Sequence, residues 1–386
     1  MWFFKKKPLD QIETVFCDHI SARARCMFAD AGYEFASTPG EAGLIWLRTK
    51  FRQYFDTLTE GQLINHLPNQ RELVEKGDLT KNIQSYYSAH PEAAKEVEPF
   101  HPESYRLYVD AEKKQFFSQL SHRQGPDNIW ILKPVNLSMG KGIEIFSDPV
   151  KLWKRFRTVE SSREEKFVIQ RYISNPLLLD GKKSEIRMYW LIASLDPLMV
   201  LLYPEGTVRL NTLPYTLDQL DNPLIHITNA YQQKSHPEYD PDAVLKWTFS
   251  ALGKFLADKR GEADAAFVGK RLVETVKGHL RVVSHGAYAN LVAGLKPGGY
   301  FGLYGVDMIV DDALKVWLTE IQKGPGLSYS DPVKKRLIPP MFTEAMQIMF
   351  EVRRRKLRGE SLAHLDAMKR FEWVINGAVS PPASEE

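Results

Sequence analysis

Cysteine is nearly absent: the 386 residues hold two, Cys17 and Cys26. Neither lies in a C-x-x-C pair or in a Cys/His spacing that binds zinc, so neither a disulfide scaffold nor a structural zinc site is indicated, and a reducing compartment is expected. No apolar run approaches the ~20 residues that a membrane-spanning helix needs. The opening MWFFKKKPLD sets a short apolar patch before its lysines, the wrong order for a secretory signal. These features predict a cytoplasmic protein with no membrane partner. Charge of one sign is not in large excess either: 51 Lys and Arg face 48 Asp and Glu, a net of +3, which does not single out nucleic acid as a partner. Two common phosphate motifs are also missing. No stretch fits the G-x-x-x-x-G-K-[S/T] loop or the G-x-G-x-x-G turn between strand and helix. No Ser/His/Asp or Cys/His signature demands a covalent protein nucleophile.

What is present is enough apolar residue for a sizeable core, 44% of the chain, and a length that suits two or three lobes. The stretch WILKPVNLSMGKGIEIF (130–146) holds two apolar runs around Ser138, Gly140, Lys141 and Gly142. Its second run alternates, so it reads as a glycine-rich hairpin. Further strands are predicted over 42–47, 167–173, 185–194, 198–203, 301–310 and 315–321, with turns at Asp196-Pro197 and Asp311-Asp312. Apolar spacing predicts helices over 71–87, 150–160, 243–256, 266–284 and 344–358. The Pro-containing stretch 91–102 reads as a loop, and 378–386 as a frayed tail. Helices and mostly antiparallel strands in separate blocks argue for α+β lobes.

Three groups stand out chemically. Lys133 ends the strand before the hairpin. Lys183, Glu185 and Arg187 are spaced i, i+2, i+4 and share one face of an extended strand. Asp307, Glu320 and Gln322 fall on a second antiparallel pair. Two carboxylates and an amide oxygen there suit magnesium, which takes oxygen ligands. Each group has a plainer alternative. A strand-end lysine is commonly a solvated charge, and a Glu-x-Arg pair is commonly a surface ion pair contributing ~0–1 kcal/mol. Asp307 and Glu320 sit within apolar runs, where a carboxylate without a partner is costly, which favours a functional role. Near the C-terminus, Arg353-Arg354-Arg355-Lys356 and Arg358 read either as a solvated helix face or as a contact for an acidic partner.

Seven blocks in order resemble the tubulin–tyrosine ligase-like family: INHLPNQRELVEKGDLTKNI (64–83), FHPESYRLY (100–108), WILKPVNLSMGKGI (130–143), VIQRYISNPLLLDGKKSEIRMYWLIAS (168–194), YPEGTVRL (203–210), HITNAYQQK (226–234) and LYGVDMIVDDALKVWLTEIQKGPGL (303–327). The resemblance implies an ATP-grasp fold, with nucleotide between two antiparallel-sheet lobes. It implies an N-terminal α/β lobe (1–105), a central lobe (106–185), a C-terminal lobe (186–340) and a basic helical extension and tail (341–386). Lys133, Ser138, Gly140, Lys141 and Gly142 would face the ATP phosphates, with Lys183. Gln170, Arg171, Tyr172 and Ile173 would read adenine. Asp307, Glu320 and Gln322 would hold Mg2+. Glu185, Arg187, Arg209, Thr228 and Asn229 would complete the catalytic and substrate groups.

The implied activity is amide formation on an acidic protein acceptor through an acyl phosphate. Glutamate is the favoured amino acid, and a tubulin tail or another protein is the acceptor. The chain departs from the family pattern in carrying Glu185 where Asp is usual and Gln322 where Asn is usual, one methylene longer each. It also lacks the usual Ser before Pro325. Those changes motivate a rival reading, a pseudo-ligase that binds ATP or tubulin without turnover. A small-molecule or peptide ligase of the wider superfamily is a third reading, against which the block at 64–83 argues.

Overall fold

Runs of apolar and β-branched residues lay down the strands, and their pairing builds three sheets. The computed structural model describes residues 13–379 apart from 50, 121–127, 138, 161–165, 241–243 and 330. In chain order come β1 (Val15–Cys17), β2 (Leu44–Trp46) and β3 (Leu63–Ile64), then β4 (Ser104–Arg106), β5 (Trp130–Pro134), β6 (Glu144–Phe146) and β7 (Phe167–Arg171). They are followed by β8 (Leu178–Leu179), β9 (Lys182–Leu195), β10 (Leu198–Leu210) and β11 (Lys246–Trp247), and last by β12 (Gly299–Tyr300), β13 (Gly302–Val310), β14 (Val316–Gln322) and β15 (Glu372–Asn376). A parallel sheet, β1-β2-β3-β12, forms the N-terminal lobe. An antiparallel sheet of four, β4-β7-β5-β6, carries the glycine hairpin between β5 and β6. The largest sheet, of seven strands, runs β11-β10-β9-β13-β14, with β15 also on β10 and β8 on β9. Two antiparallel sheets beside a parallel lobe agree with the α+β expectation.

The large sheet is covered on both faces, which is why β9 reads as a nearly unbroken apolar run. Ile186, Met188, Trp190 and Ile192 face a core that includes Leu272, Val276, Leu280 and Val283 of the helix Lys270–Val292. Tyr189, Leu191 and Ala193 face the opposite core, against Leu337, Ile338, Met341 and Phe342 of the helix Pro332–Arg358. Continued toward the start of β9, this second face carries Lys183, Glu185 and Arg187 in place of apolar residues.

Several elements differ from the sequence-based expectation. The helix expected over 71–87 is two, Arg71–Val74 and Lys76–Ala89, because Glu75 turns extended and its carboxylate caps the second by accepting from Gly77 N (2.8 Å) and Asp78 N (3.2 Å). The helix expected from 243 starts at Phe249, after β11, with Thr248 as its cap. The expected helix over 266–284 runs Lys270–Val292 instead. The loop 91–102 contains a helical turn, Ala93–Glu96. The C-terminal helix expected from 344 begins at Pro332 and passes through Pro339 and Pro340. Each interior proline costs about 3 kcal/mol. Leu337, Ile338, Met341 and Phe342, all buried around them, contribute about 1.5–3 kcal/mol each, so packing wins. That helix and β9 run unbroken through residues 340 and 185, so the lobe boundaries expected there fall inside elements. The tail expected as frayed from 378 is preceded by β15, and its residues 380–386 lie outside those described.

Candidate active site

The register of the large sheet sets polar and charged side chains in two rows on one face. One row runs Thr207, Arg187, Asp307, Glu320 across β10, β9, β13 and β14. The other runs Lys246, Arg209, Glu185 across β11, β10 and β9. A bulge aligns Glu320 with Asp307: β14 has one extra residue, Thr319, opposite the Asp307–Met308 step. Thr319 donates from Oγ1 to Asp307 O (3.1 Å) and to Glu185 Oε1 (3.4 Å). Gln322 pairs with Gly305 and so lies on the face of Glu320. Gly305 leaves room for the Arg187 guanidinium, since a Cβ there would come within 2.8 Å of Nη1.

Asp307 is buried and held by two arginines. Arg187 donates through Nε and through Nη2 (2.6 Å), and Arg209 donates through Nη2. Burial works to raise the Asp307 pKa, but Arg187 and then Arg209 outweigh it and hold the carboxyl below its usual range. Glu185 goes the other way. Burial and the neighbouring Asp307 raise its pKa, although it accepts hydrogen bonds from Arg209 (2.8 Å) and from the Thr228 hydroxyl. Glu320 is less enclosed, and its Oε1 lies 3.5 Å from Lys76 Nζ.

Two lysines face this constellation from within the protein. Lys183 Nζ donates to the Tyr172 hydroxyl (3.0 Å) and to His226 O (3.0 Å). Burial lowers its pKa to about 7. Lys133 Nζ donates to Gln170 Oε1 (2.6 Å), and burial lowers its pKa to about 8. His226 closes the pair with Tyr172, Nδ1 to hydroxyl at 2.8 Å, and burial holds the imidazole at about 4, hence neutral at pH 7.

The glycine hairpin folds over this area. Gly140 (φ +74°) and Gly142 (φ +67°) occupy the left-handed region that other residues avoid. A Cβ at Gly140 would meet Gln232 Cγ at 2.9 Å, and Gln232 Nε2 donates to Met139 O (3.2 Å), so the loop seats against segment 227–232. Lys141 Nζ lies 5.0 Å from the Tyr231 ring centroid. Asn229 caps the helix Ala230–Ser235 by accepting from Tyr231 N (2.9 Å), and its side chain serves that turn. Ser138 lies outside the described residues. On the other side, Arg171, Tyr172 and Ile173 line a cavity of about 690 Å³ with His101, Glu103 and Trp317. Gln170 turns away from it, buried between Lys133 and Ser104.

Sequence reasoning missed Lys76. Its Nζ donates to Leu137 O (3.0 Å) and lines one small pocket with Lys133, Gln170, Thr319 and Glu320. The signal available was its position at the start of a helix inside the block 64–83. For a magnesium ion the donor chemistry fits in part. Glu320 and Gln322 offer oxygens on one face, as a hard cation requires. The Asp307 oxygens are engaged by arginines and would be shared. Among the described residues no cluster of three or more His, Cys, Asp or Glu forms a ready-made metal cage.

The sequence profile of the tubulin-tyrosine ligase family matches residues 55–357, a span containing every residue of this constellation. The chain belongs to the tubulin-tyrosine ligase family. Within it, the chain is 31% identical over 329 residues to human tubulin polyglutamylase TTLL5, an alignment that covers 81% of this chain and 24% of that protein. It is 31% identical over 290 residues to the probable tubulin polyglutamylase ttll-9 of Caenorhabditis elegans, covering 74% of this chain and 66% of that one. It is also 29% identical over 393 residues to the human inactive polyglycylase TTLL10, covering 88% and 57%. The chain thus spans about a quarter of the length of the polyglutamylase TTLL5. No described helix is long and apolar enough to cross a membrane.

Proposed function

We propose that this chain is an ATP-dependent ligase that attaches an amino acid, with glutamate favoured, to a carboxylate on an acidic protein acceptor such as a tubulin tail. The observation that carries this reading is the convergence of Lys133, Lys183, Arg187 and Arg209 with Asp307 and Glu320 beneath a glycine hairpin. Membership of a family whose relatives include tubulin polyglutamylases supports it.

The chemistry needs an activated carboxylate, because a carboxylate oxygen is a poor leaving group. An acceptor carboxylate oxygen attacks the γ-phosphorus, ADP leaves, and an acyl phosphate forms. The amine then attacks the acyl carbon, phosphate departs with the C–O electron pair, and the amine loses a proton. Phosphoryl transfer depends mainly on positioning and on charge stabilisation. Lys133 and Lys183, desolvated and poised near neutrality, gain charge by meeting phosphate oxygens. Gly140 and Gly142 let backbone N–H groups approach the phosphates closely. Arg187 and Arg209, oriented by Asp307, face the negative charge that develops on the transferred group. Glu320 and Gln322, with Asp307, would hold Mg2+, which when bound neutralises phosphate charge. The seated hairpin limits water, which would hydrolyse the acyl phosphate. In this reading the cavity beside Arg171, Tyr172 and Ile173 accepts the adenine.

Two observations favour the rival reading of an impaired, binding-only member. Arginines occupy both oxygens of Asp307, and the chain is 29% identical to a relative named an inactive polyglycylase. Intact mass spectrometry decides between them. Acidic tubulin-tail peptides and an acidic lysate fraction are incubated with the protein, ATP, magnesium and all twenty amino acids. A mass increment of one residue supports ligation and names the amino acid. Absence of any increment beside a working ligase control, with ATP still bound, rejects ligation in favour of the rival.

A further inference from the structure

Beyond the residues already given roles, one more cation points at the same face from outside the sheet. The helix Pro332–Arg358 begins there, capped by Asp331, whose Oδ1 accepts from Lys334 N (3.0 Å). The other Asp331 oxygen accepts from Lys246 Nζ (2.7 Å), and Lys246 is the register partner of Arg209. Lys334 Nζ contacts only the carbonyl of Gly326 (3.3 Å) among the described residues, while Arg187 Nη1 donates to the adjoining carbonyl, Pro325 O (3.3 Å). Two consecutive carbonyls thus bring Lys334 and Arg187 side by side.

Donors exceed acceptors here. Of the four cations Arg187, Arg209, Lys246 and Lys334, the first three contact Asp307, Glu185 and Asp331, and the remaining carboxylate of the face, Glu320, lies against Lys76 instead. The Arg209 Nε–H and the hydroxyls of Thr207 and Tyr189, all on this face, are buried with no hydrogen-bond partner among the described residues. Burial, followed by Arg187, Arg209 and Lys246, lowers the Lys334 pKa to about 8, as expected for a cation that lacks an anion of its own. A carboxylate supplies the missing charge and acceptors.

We infer that Lys334, supported by Lys246, receives the α-carboxylate of the incoming amino acid and thereby fixes the direction from which its amine attacks. This rests on the ligase reading above. A free α-carboxylate is the group that every amino acid shares and that its amide lacks. Recognition at this point therefore selects an amino acid over an amine, and leaves side-chain choice to other residues.

The test compares the amino acid that the wild type ligates with the α-amide of the same amino acid. The wild type is expected to prefer the acid by about tenfold or more in kcat/KM. Lys334→Met should raise KM for the amino acid about tenfold or more, leave KM for ATP within about twofold, and erase the preference over the amide. Lys334→Arg should keep the preference. Lys246→Met, which acts through Asp331 at the helix cap, gives the same direction with a smaller effect and serves if Lys334→Met does not fold. An unchanged amino-acid KM in Lys334→Met, or an undiminished preference for the acid, overturns the inference while leaving the function standing. No ligation by the wild type with any amino acid overturns the function, and the inference with it.

Discussion

Asp307 and Glu320 stand opposite each other on neighbouring strands, yet replacing them should have different consequences. Asp307 compensates two enclosed guanidiniums. Asp307→Asn leaves them without that charge and is expected to destabilise the fold by about 3–5 kcal/mol, with a lower Tm as well as lost activity. Glu320 is partly exposed, and its nearest cation is 3.5 Å away. Glu320→Gln should change stability by less than about 1 kcal/mol while abolishing ligation. Calorimetry alongside the mass assay checks both, and an active Glu320→Gln would remove that residue from the site. Lys183 offers a pH test. Burial holds its pKa at about 7 in the protein, against the ordinary lysine value of 10.5. The unfolded chain therefore binds the extra proton between these values, and this group's contribution makes stability rise with pH from about 7 to 10.5. A bound phosphate should raise the folded pKa again. Nucleotide binding near pH 8 is then expected to take up a proton and to weaken as pH rises, measurable by titration calorimetry in buffers of different ionisation enthalpy. In Lys183→Met this uptake should shrink. The face shared by Lys183, Glu185 and Arg187 was legible from i, i+2 spacing alone. Lys76, Lys246 and Lys334 were not, because each reaches the site from a separate segment and only the fold brings them together.

At the scale of elements, periodicity located strands better than it did their faces. In β14 strict alternation groups Glu320 with Val316 and Leu318, which would bury the carboxylate. Thr319 breaks that parity by one residue, so Leu318 faces the core while Glu320 faces the site. Nothing in WLTEIQ announces the bulge. The C-terminal helix likewise begins at Pro332, ahead of its expected start at 344, because burial of its apolar face outweighs the local cost of Pro339 and Pro340. The glycine hairpin was legible, but the surface it seats on was not. That seat gives a prediction. Gly140→Val combines a left-handed φ of +74° with a Cβ 2.9 Å from Gln232. Backbone strain for a branched residue there costs about 1–3 kcal/mol. Since the loop is exposed, Tm should move little, whereas nucleotide affinity should fall about tenfold, read by isothermal titration. Wild-type affinity in Gly140→Val would separate this loop from phosphate binding.

For the whole molecule, the basic run at 353–358 shows how charge counted along a sequence misleads about partners. Arg353 is buried and donates to Gly61 O, tying the C-terminal helix to the N-terminal lobe. Arg355 pairs with Glu351 (2.7 Å) and Asp366 (2.9 Å) and donates to Ser361 O (2.9 Å). Lys356 reaches Ser194 Oγ (2.7 Å) and Asp196 O (2.8 Å) at the β9–β10 turn. Arg353 and Lys356 therefore tie the helix to distant segments while Arg355 braces the chain that follows it, and the expected docking surface for an acidic acceptor is largely spent on internal contacts. The same helix presents Glu344 to the backbone N–H groups of Lys369 (2.8 Å), Arg370 (2.6 Å) and Phe371 (2.8 Å), just ahead of β15. A docking role and a clamping role predict opposite pairs of outcomes. If the cluster clamps, Arg355→Glu puts like charges against Glu351 and Asp366, lowers Tm by several degrees, and leaves acceptor affinity per folded molecule unchanged at low and high salt. If it docks, Tm holds while acceptor affinity falls most at low salt. The buried Glu351 partner and the contacts of Arg353 and Lys356 to distant segments favour the clamp. Thermal melts paired with salt-dependent binding of an acidic tail peptide distinguish the two.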